Sequence, residues 1–361
     1  MPVRPILLSL ALALTEAGVS LAEPLRVATF DAELDRRGPG LLLGDILKGD
    51  DQVAAVVSVI AAAAPDVLVL NGFDHDLEGH ALTAFAQSLA AAGIDYPHRF
   101  AARPNSGLPS GLDLDGNGRL GEARDSQGYG AFTGQAGMAV LSRYPLGEVR
   151  DFSAFLWTDL PGAILPTVDG QPFPSAEARA AQRLSSVAHW DVPVNTPDGP
   201  LHLLAFSATT PVFDGPEDLN GRRNHDEILF WQRLLDGDLP FAPPEGPVLV
   251  IGNANLDPVD GEGRHAAIAA LRDDPRLQDP APASPGGAAA ANPDHSGDPA
   301  HDTVDWTDPV PGNLRVDYVL PDARLMVIDA GVVWPAPEDP MAETVAAASR
   351  HRLVWVDVTR P

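Results

Sequence analysis

The chain has 361 residues, room for a large core and, by length alone, a prior of about two domains, with a hydrophobic share of 45% that is ordinary for a folded protein. Its net charge is -26 and Lys48 is the only lysine. That balance argues against a broad duplex nucleic-acid footprint but leaves room for a small anionic ligand where a metal or local arginines offset the field. Cysteine is absent, which excludes disulfides, thiolate metal sites and cysteine nucleophiles.

Arg4, the apolar run Ile6 to Leu14 and the small residues of Ser20-Leu21-Ala22 predict a signal peptide over residues 1–22, hence a secreted or periplasmic protein. The run is too short to span a bilayer, and no later stretch reads as a membrane span. The mature chain, 23–361, opens with an alternating strand, Leu25 to Phe30, ending at Asp31. Val53, Val56, Val57 and Ile60 share one helical face. Val67 to Leu70 reads as a buried strand with the tip Asn71-Gly72-Phe73-Asp74. Leu82, Phe85 and Leu89 mark a second amphipathic helix, and Tyr96 to Phe100 a third strand. The β-α-β-α-β order predicts a layered α/β architecture.

Residues 103–136 form a Gly- and Asp-rich insertion. Asp113, Asp115 and Asn117 with Gly118 match the first half of a calcium loop. Its twelfth position is Arg124, where a bidentate Glu is needed, although Glu122 and Asp125 are near. A Ca²⁺ loop completed by Asp125 and a solvated loop of Asx turns both stand.

Gly137 to Arg143, Leu184 to Val192 and Leu201 to Phe206 read as further strands. A polar loop, Asp214 to Glu227, then leads into a helix carrying Ile228, Phe230, Trp231 and Leu234. The loop concentrates Arg222, Arg223, Asn224, His225 and Asp226, a set suited to an anion or a metal-bound phosphate. The same residues suit a helix N-terminus with Asn224 as cap. Val248 to Ile251 is apolar throughout, as in a strand buried on both faces, and Asn253, Asn255 and Asp257 follow Gly252 at alternating positions. Such tips are where α/β enzymes place their chemistry, though Asn, Asp and Pro are also ordinary turn residues. Residues 279–313 read as a Pro/Ala-rich loop, and Leu314 to Leu320, Leu325 to Val333 and Arg352 to Val358 as closing strands. Trp231, Trp306, Trp334 and Trp355 read as core or loop anchors. One uninterrupted pattern of many strands favours a single large domain.

Several motifs, in this order, resemble those of the endonuclease/exonuclease/phosphatase superfamily, in particular its secreted bacterial members. They are Arg26-Val-Ala-Thr-Phe-Asp31, Pro65 to Asp74, Gly134 to Arg143, Pro211 to Glu227, Gly252-Asn-Ala-Asn-Leu-Asp-Pro258, Leu314 to Pro321 and Ser349-Arg-His351. The resemblance implies an α/β (α+β) four-layer sandwich, two packed mixed β-sheets flanked by helices. It also implies Mg²⁺- or Mn²⁺-dependent hydrolysis of a small phosphoester where strand tips of both sheets meet.

Against that pattern the functional positions depart. Asp31 stands where the family has Asn, and Gly72 where it has a metal-binding Glu. A histidine usual near Ser207 is missing. Asn253 replaces the water-orienting Asp, while its partner Asn255 is kept. Arg350 replaces the Asp before His351, and Asp317 matches the residue that supports that histidine. Asn253 cannot act as a base, since an amide donates where the water needs an acceptor. The swaps move the site by about three charge units toward positive, partly offset by Asp31. The expectation is a lost hydrolytic metal site, with Arg350 and, opposite it, Arg223, Asn224, His225 and Asp226 forming a metal-free anion pocket. Two alternatives are an active phosphodiesterase or phosphatase with a metal shell rebuilt from Asp31, Asp74 and Asn255, and a calcium-dependent extracellular interaction protein using residues 113–125.

Overall fold

The structure, a computed structural model, describes residues 23–360; the expected signal peptide, 1–22, lies outside them. In chain order the first half comprises β1 (Leu25–Leu34), α1 (Leu41–Lys48), α2 (Asp51–Ala63), β2 (Val67–Phe73), α3 (His80–Ala91), β3 (His98–Phe100), β4 (Gly137–Ser142), β5 (Arg150–Asp151), β6 (Thr167–Val168), β7 (Gln171–Pro172) and α4 (Ala176–Ala181). The second half comprises β8 (Ala188–Thr196), β9 (Gly199–Ser207), α5 (Leu219–Asp236), β10 (Val248–Asn253), α6 (Ala266–Arg272), α7 (Pro285–Ala289), β11 (Asp317–Pro321), β12 (Met326–Val332), α8 (Ala342–Ala348) and β13 (Val354–Thr359).

Two mixed sheets result, one ordered β12-β13-β1-β2-β4-β3 and the other β11-β10-β9-β8-β5, with β6-β7 a separate small ribbon. The strand period of two explains how they stack. Val27, Val67, Val69 and Val140 of the first sheet meet Leu249, Ile251, Leu203 and Val319 of the second in one buried layer. The intervening Ala28, Phe30, Leu68 and Leu70 turn outward onto α1, α2, α3 and α8. Val248 and Val250 turn outward onto α5 and α6. Both faces of β10 are therefore covered, which is why its sequence is apolar without alternation. This is the expected four-layer sandwich.

Several boundaries differ from expectation. β1 runs on past Asp31 to Leu34, and β2 past Asn71 to Phe73. α5 begins at Leu219 behind Asp218, so the residues read as a polar loop lie within the helix and Asn224 is not its cap. The five-residue α7 and a 3₁₀ turn at Pro299–His301 interrupt the loop expected over 279–313. Toward one end of the sandwich the layer between the sheets changes from Val and Ile to Thr29, Asp31, Asn71, Asn253 and Asp317. Asp31 pairs with Asn71 in one sheet, and Asn253 with Asp317 and Ser207 in the other.

Candidate functional site at the strand tips

Asp31 and Asn253 join the two sheets. Asn253 Nδ2 donates to Asp31 Oδ2 at 3.1 Å, and Asn253 Oδ1 accepts the Asn255 amide at 2.7 Å. Asn255 sits at φ 49° and donates through Nδ2 to the Ala208 carbonyl at 2.8 Å. Burial pushes the Asp31 carboxyl above its ordinary range; the repulsion of Asp317 and Glu33 adds to this, while His351 and Asn253 oppose it.

His351 is buried, and its Nδ1 donates to Asp317 Oδ2 at 2.9 Å. Thr303 Oγ1 donates to the same oxygen at 3.0 Å, while the buried Asp317 Oδ1 has no hydrogen-bond partner among the described residues. Burial works against charging the imidazole, but the Asp317 and Asp31 carboxylates outweigh it and raise its pKa to about 9. His351 is thus an imidazolium at neutral pH, with the Trp306 ring edge-on at 5.7 Å.

Gly72 and Asp31 form one feature. Gly72 has φ +64°, and a Cβ built on it would lie 2.2 Å from Asp31 Oδ1. The space from which a longer side chain at position 72 would start is filled by the aspartate opposite.

One participant carried no sequence motif. Glu33, at φ 47°, turns back from the end of β1 and accepts the Arg350 amide at 2.8 Å. Arg350 Nε donates to its other oxygen at 2.8 Å, and Nη2 also reaches that oxygen. The Arg350 contacts hold the Glu33 carboxyl below its ordinary range although burial pulls it upward.

A model of the endonuclease/exonuclease/phosphatase family matches residues 37–351. The chain belongs to this family. Among solved structures it is similar to an endonuclease/exonuclease/phosphatase from Beutenbergia cavernae, at 20% identity and a TM-score of 0.55, covering 94% of this chain and 72% of that one. A family protein from Leptotrichia buccalis aligns at 14% identity and a TM-score of 0.52, covering 93% and 99%. At such identities the likeness shows the fold alone. No curated protein matches the sequence.

Members of this family typically depend on a divalent metal. At the strand tips the residues present do not fit one. Such an ion needs several free oxygen ligands and excess negative charge. Asp31 receives an amide donor from Asn253, Gly72 contributes no ligand, and the cations of Arg350 and His351 both act on Asp31. Asp74 does not complete a rebuilt shell. Its Oδ2 accepts the Arg36 amide at 2.9 Å and its Oδ1 the Ala136 amide at 3.0 Å, so it pins loops together. Among the described residues, the three carboxylates whose ligand atoms come within 4.8 Å of one another are Asp113, Asp115 and Asp125.

The α5 residues face elsewhere. Arg223 is buried and donates to the carbonyls of Leu184 at 2.8 Å, Arg183 at 2.9 Å, Ser185 at 3.0 Å and Gln127 at 2.5 Å. Asn224 Nδ2 holds the Thr209 and Ala254 carbonyls, each at 2.7 Å. His225 Nδ1 pairs with Asp226 Oδ1 at 2.8 Å, and Asp226 Oδ2 accepts from Trp157 Nε1 at 2.6 Å and the Ile164 amide at 2.8 Å. These side chains fasten α5 to the loops around it rather than opening toward Arg350. Arg350 itself is committed to Glu33.

In the insertion, Asp113 accepts the amides of Gly116, Asn117 and Gly118, and Asn117 Nδ2 donates to Asp115 and Glu122. Asp125, rather than Arg124, closes the loop by accepting the Leu114 and Glu122 amides, each at 3.0 Å. Asp257 holds the amides of Val259, Asp260 and Arg315, the work of a turn residue.

Proposed function

We propose that this chain is an exported, single-domain family member that does not perform metal-dependent phosphoester hydrolysis and serves as a binding module for a small anionic or phosphoester ligand. One observation carries the reading. The carboxylate that should receive a proton from water is replaced by the Asn253 amide, whose donor is spent on an Asp31 that fills the space beside Gly72. Among the described residues, Asn253 stands where the base would be, and an amide does not take a proton from water. Export rests on the Ile6 to Leu14 run and Ser20-Leu21-Ala22.

The test is hydrolysis of a chromogenic phosphodiester with Mg²⁺, Mn²⁺ or Ca²⁺. The control carries Asp31→Asn, Gly72→Glu, Asn253→Asp and Arg350→Asp together, so that all four positions hold the residues of the family pattern. The natural protein is expected to be silent and the fourfold variant to gain metal-dependent turnover. Turnover by the natural protein, lost with chelator and with His351→Ala, overturns the reading.

The Asp113, Asp115 and Asp125 cluster favours a second, compatible reading, a Ca²⁺ loop within the insertion. Calcium is expected to raise Tm in the chelator-treated natural protein and not in the Asp113→Asn, Asp125→Asn variant. An equal rise in both removes this reading.

A further inference from the structure

The donors of Ser349 and Arg350 gather around one carboxylate. The Arg350 amide serves Glu33 Oε2 and its guanidinium serves Oε1. Ser349 Oγ lies 3.1 Å from Oε2 and shares its single proton with the Asp31 carbonyl at 2.8 Å. A backbone N–H, a planar guanidinium fork and a hydroxyl around two oxygens match what a carboxylate or phosphate requires. The next residue is His351, whose Nδ1 is taken by Asp317 and whose Nε2 has no hydrogen-bond partner among the described residues.

Glu33 reaches this position through a backbone that L residues avoid, φ 47°. Such non-glycine strain costs about 1–3 kcal/mol and persists where the surroundings over-determine it. Here the surroundings are the Arg350 donors on the carboxylate, Asp31 Oδ1 accepting the Glu33 amide at 3.2 Å and Gln52 Nε2 donating to its carbonyl at 3.1 Å. The pair is also within reach of solvent, with side-chain exposures of 65% for Arg350 and 23% for Glu33.

We propose that Ser349, Arg350 and His351 form a receptor for a small oxyanion, a phosphate monoester or a carboxylate, in which the Glu33 carboxylate is the resident occupant and a built-in competitor. The proposal rests on the metal-free reading of the site. An incoming oxyanion takes the Arg350 fork and amide as Glu33 swings into solvent, and His351 Nε2–H supplies a further donor. A tethered competitor acts at an effective concentration of about millimolar. The natural protein therefore binds a free oxyanion weakly, and removing the tethered carboxylate strengthens binding.

The experiment is titration with inorganic phosphate after EDTA treatment and removal of the chelator into metal-free buffer, followed by calorimetry and by the ring signals of His351. Glu33→Gln keeps the shape without the charge, and Glu33→Gly keeps the fold at a positive φ. Both are expected to bind phosphate at least tenfold more tightly than the natural protein and to shift the His351 signals. Adding Arg350→Ala to either is expected to abolish the gain. Unchanged affinity in a folded Glu33→Gly protein, or tight binding that survives Arg350→Ala, overturns the proposal. Metal-dependent turnover by the natural protein would sink the metal-free reading alone, because the phosphate titration contains no free metal.

Discussion

Gly72→Ala isolates the contact on which the site reading depends. Its Cβ would meet Asp31 Oδ1 at 2.2 Å on a backbone with φ +64°, so both steric and conformational penalties apply. The expected loss is about 1–3 kcal/mol, read by urea denaturation. In an Asp31→Ala background the collision with the carboxylate disappears, and a smaller loss is expected from the positive φ and the approach to the Glu33 nitrogen at 3.1 Å. Asp317→Asn tests the dyad. It leaves a buried imidazolium without its counter-charge and is expected to cost about 3–5 kcal/mol. An NMR titration should show the His351 pKa falling from about 9 toward the ordinary histidine value. Since the native pKa is the higher one, the stability carried by His351 is complete below the unfolded value and is lost as pH rises through about 9.

At the scale of elements, α5 shows what pattern reading reaches and where it stops. Ile228, Phe230, Trp231 and Leu234 mark its apolar face correctly, because burial follows the helical period. The first two turns are polar and buried, and polarity in a sequence signals solvent unless the partners are known. Pattern alone therefore makes Arg223 an anion ligand, although its partners are main-chain carbonyls up to 96 residues away. Arg223→Met strips those carbonyls of their donor and is expected to cost about 3 kcal/mol or more in chemical denaturation. It should leave phosphate affinity in the Glu33→Gly background unchanged, and a loss there would return α5 to the ligand site. The strand tips were legible because a buried strand must end in turn residues, which places Asp31, Asn253 and Asp317 at one end of the fold. Glu33 was not legible. Its role depends on one left-handed residue bending β1 toward a segment 317 positions later, and no local pattern encodes that meeting.

For the molecule as a whole, several buried carboxyls hold protons unusually tightly. Burial raises Asp74 to about 6 and Glu227 to about 7. Asp302 rises to about 7 through burial and the repulsion of Asp257, Asp260 and Asp298. Each binds its proton more tightly in the native state, so stability grows as pH falls through these values. The net charge of -26 pushes in the same direction, because self-repulsion falls as acids protonate. Other groups act with the opposite sign. His189, lowered to about 4 by burial, favours the native state while neutral and loses that contribution as pH falls from 6.5 toward 4. Glu33, Asp274, Asp279 and Asp322, all held below their ordinary range by arginine contacts, lose those contacts when protonated. The urea midpoint is expected to be higher near pH 6 than at pH 8 or pH 4. A midpoint that rises steadily to pH 8 would contradict the burial of these carboxyls.

The packing of Asp31 against Gly72 also constrains the routes by which this chain could change. A glutamate at position 72 must displace the Asp31 carboxylate, and trimming Asp31 removes the acceptor that Asn253 uses across the two sheets. A change at either position is therefore felt at the other, and the two are expected to vary together. The Glu33 side chain bonds to Ser349 and Arg350 instead, so it is open to change independently of that pair.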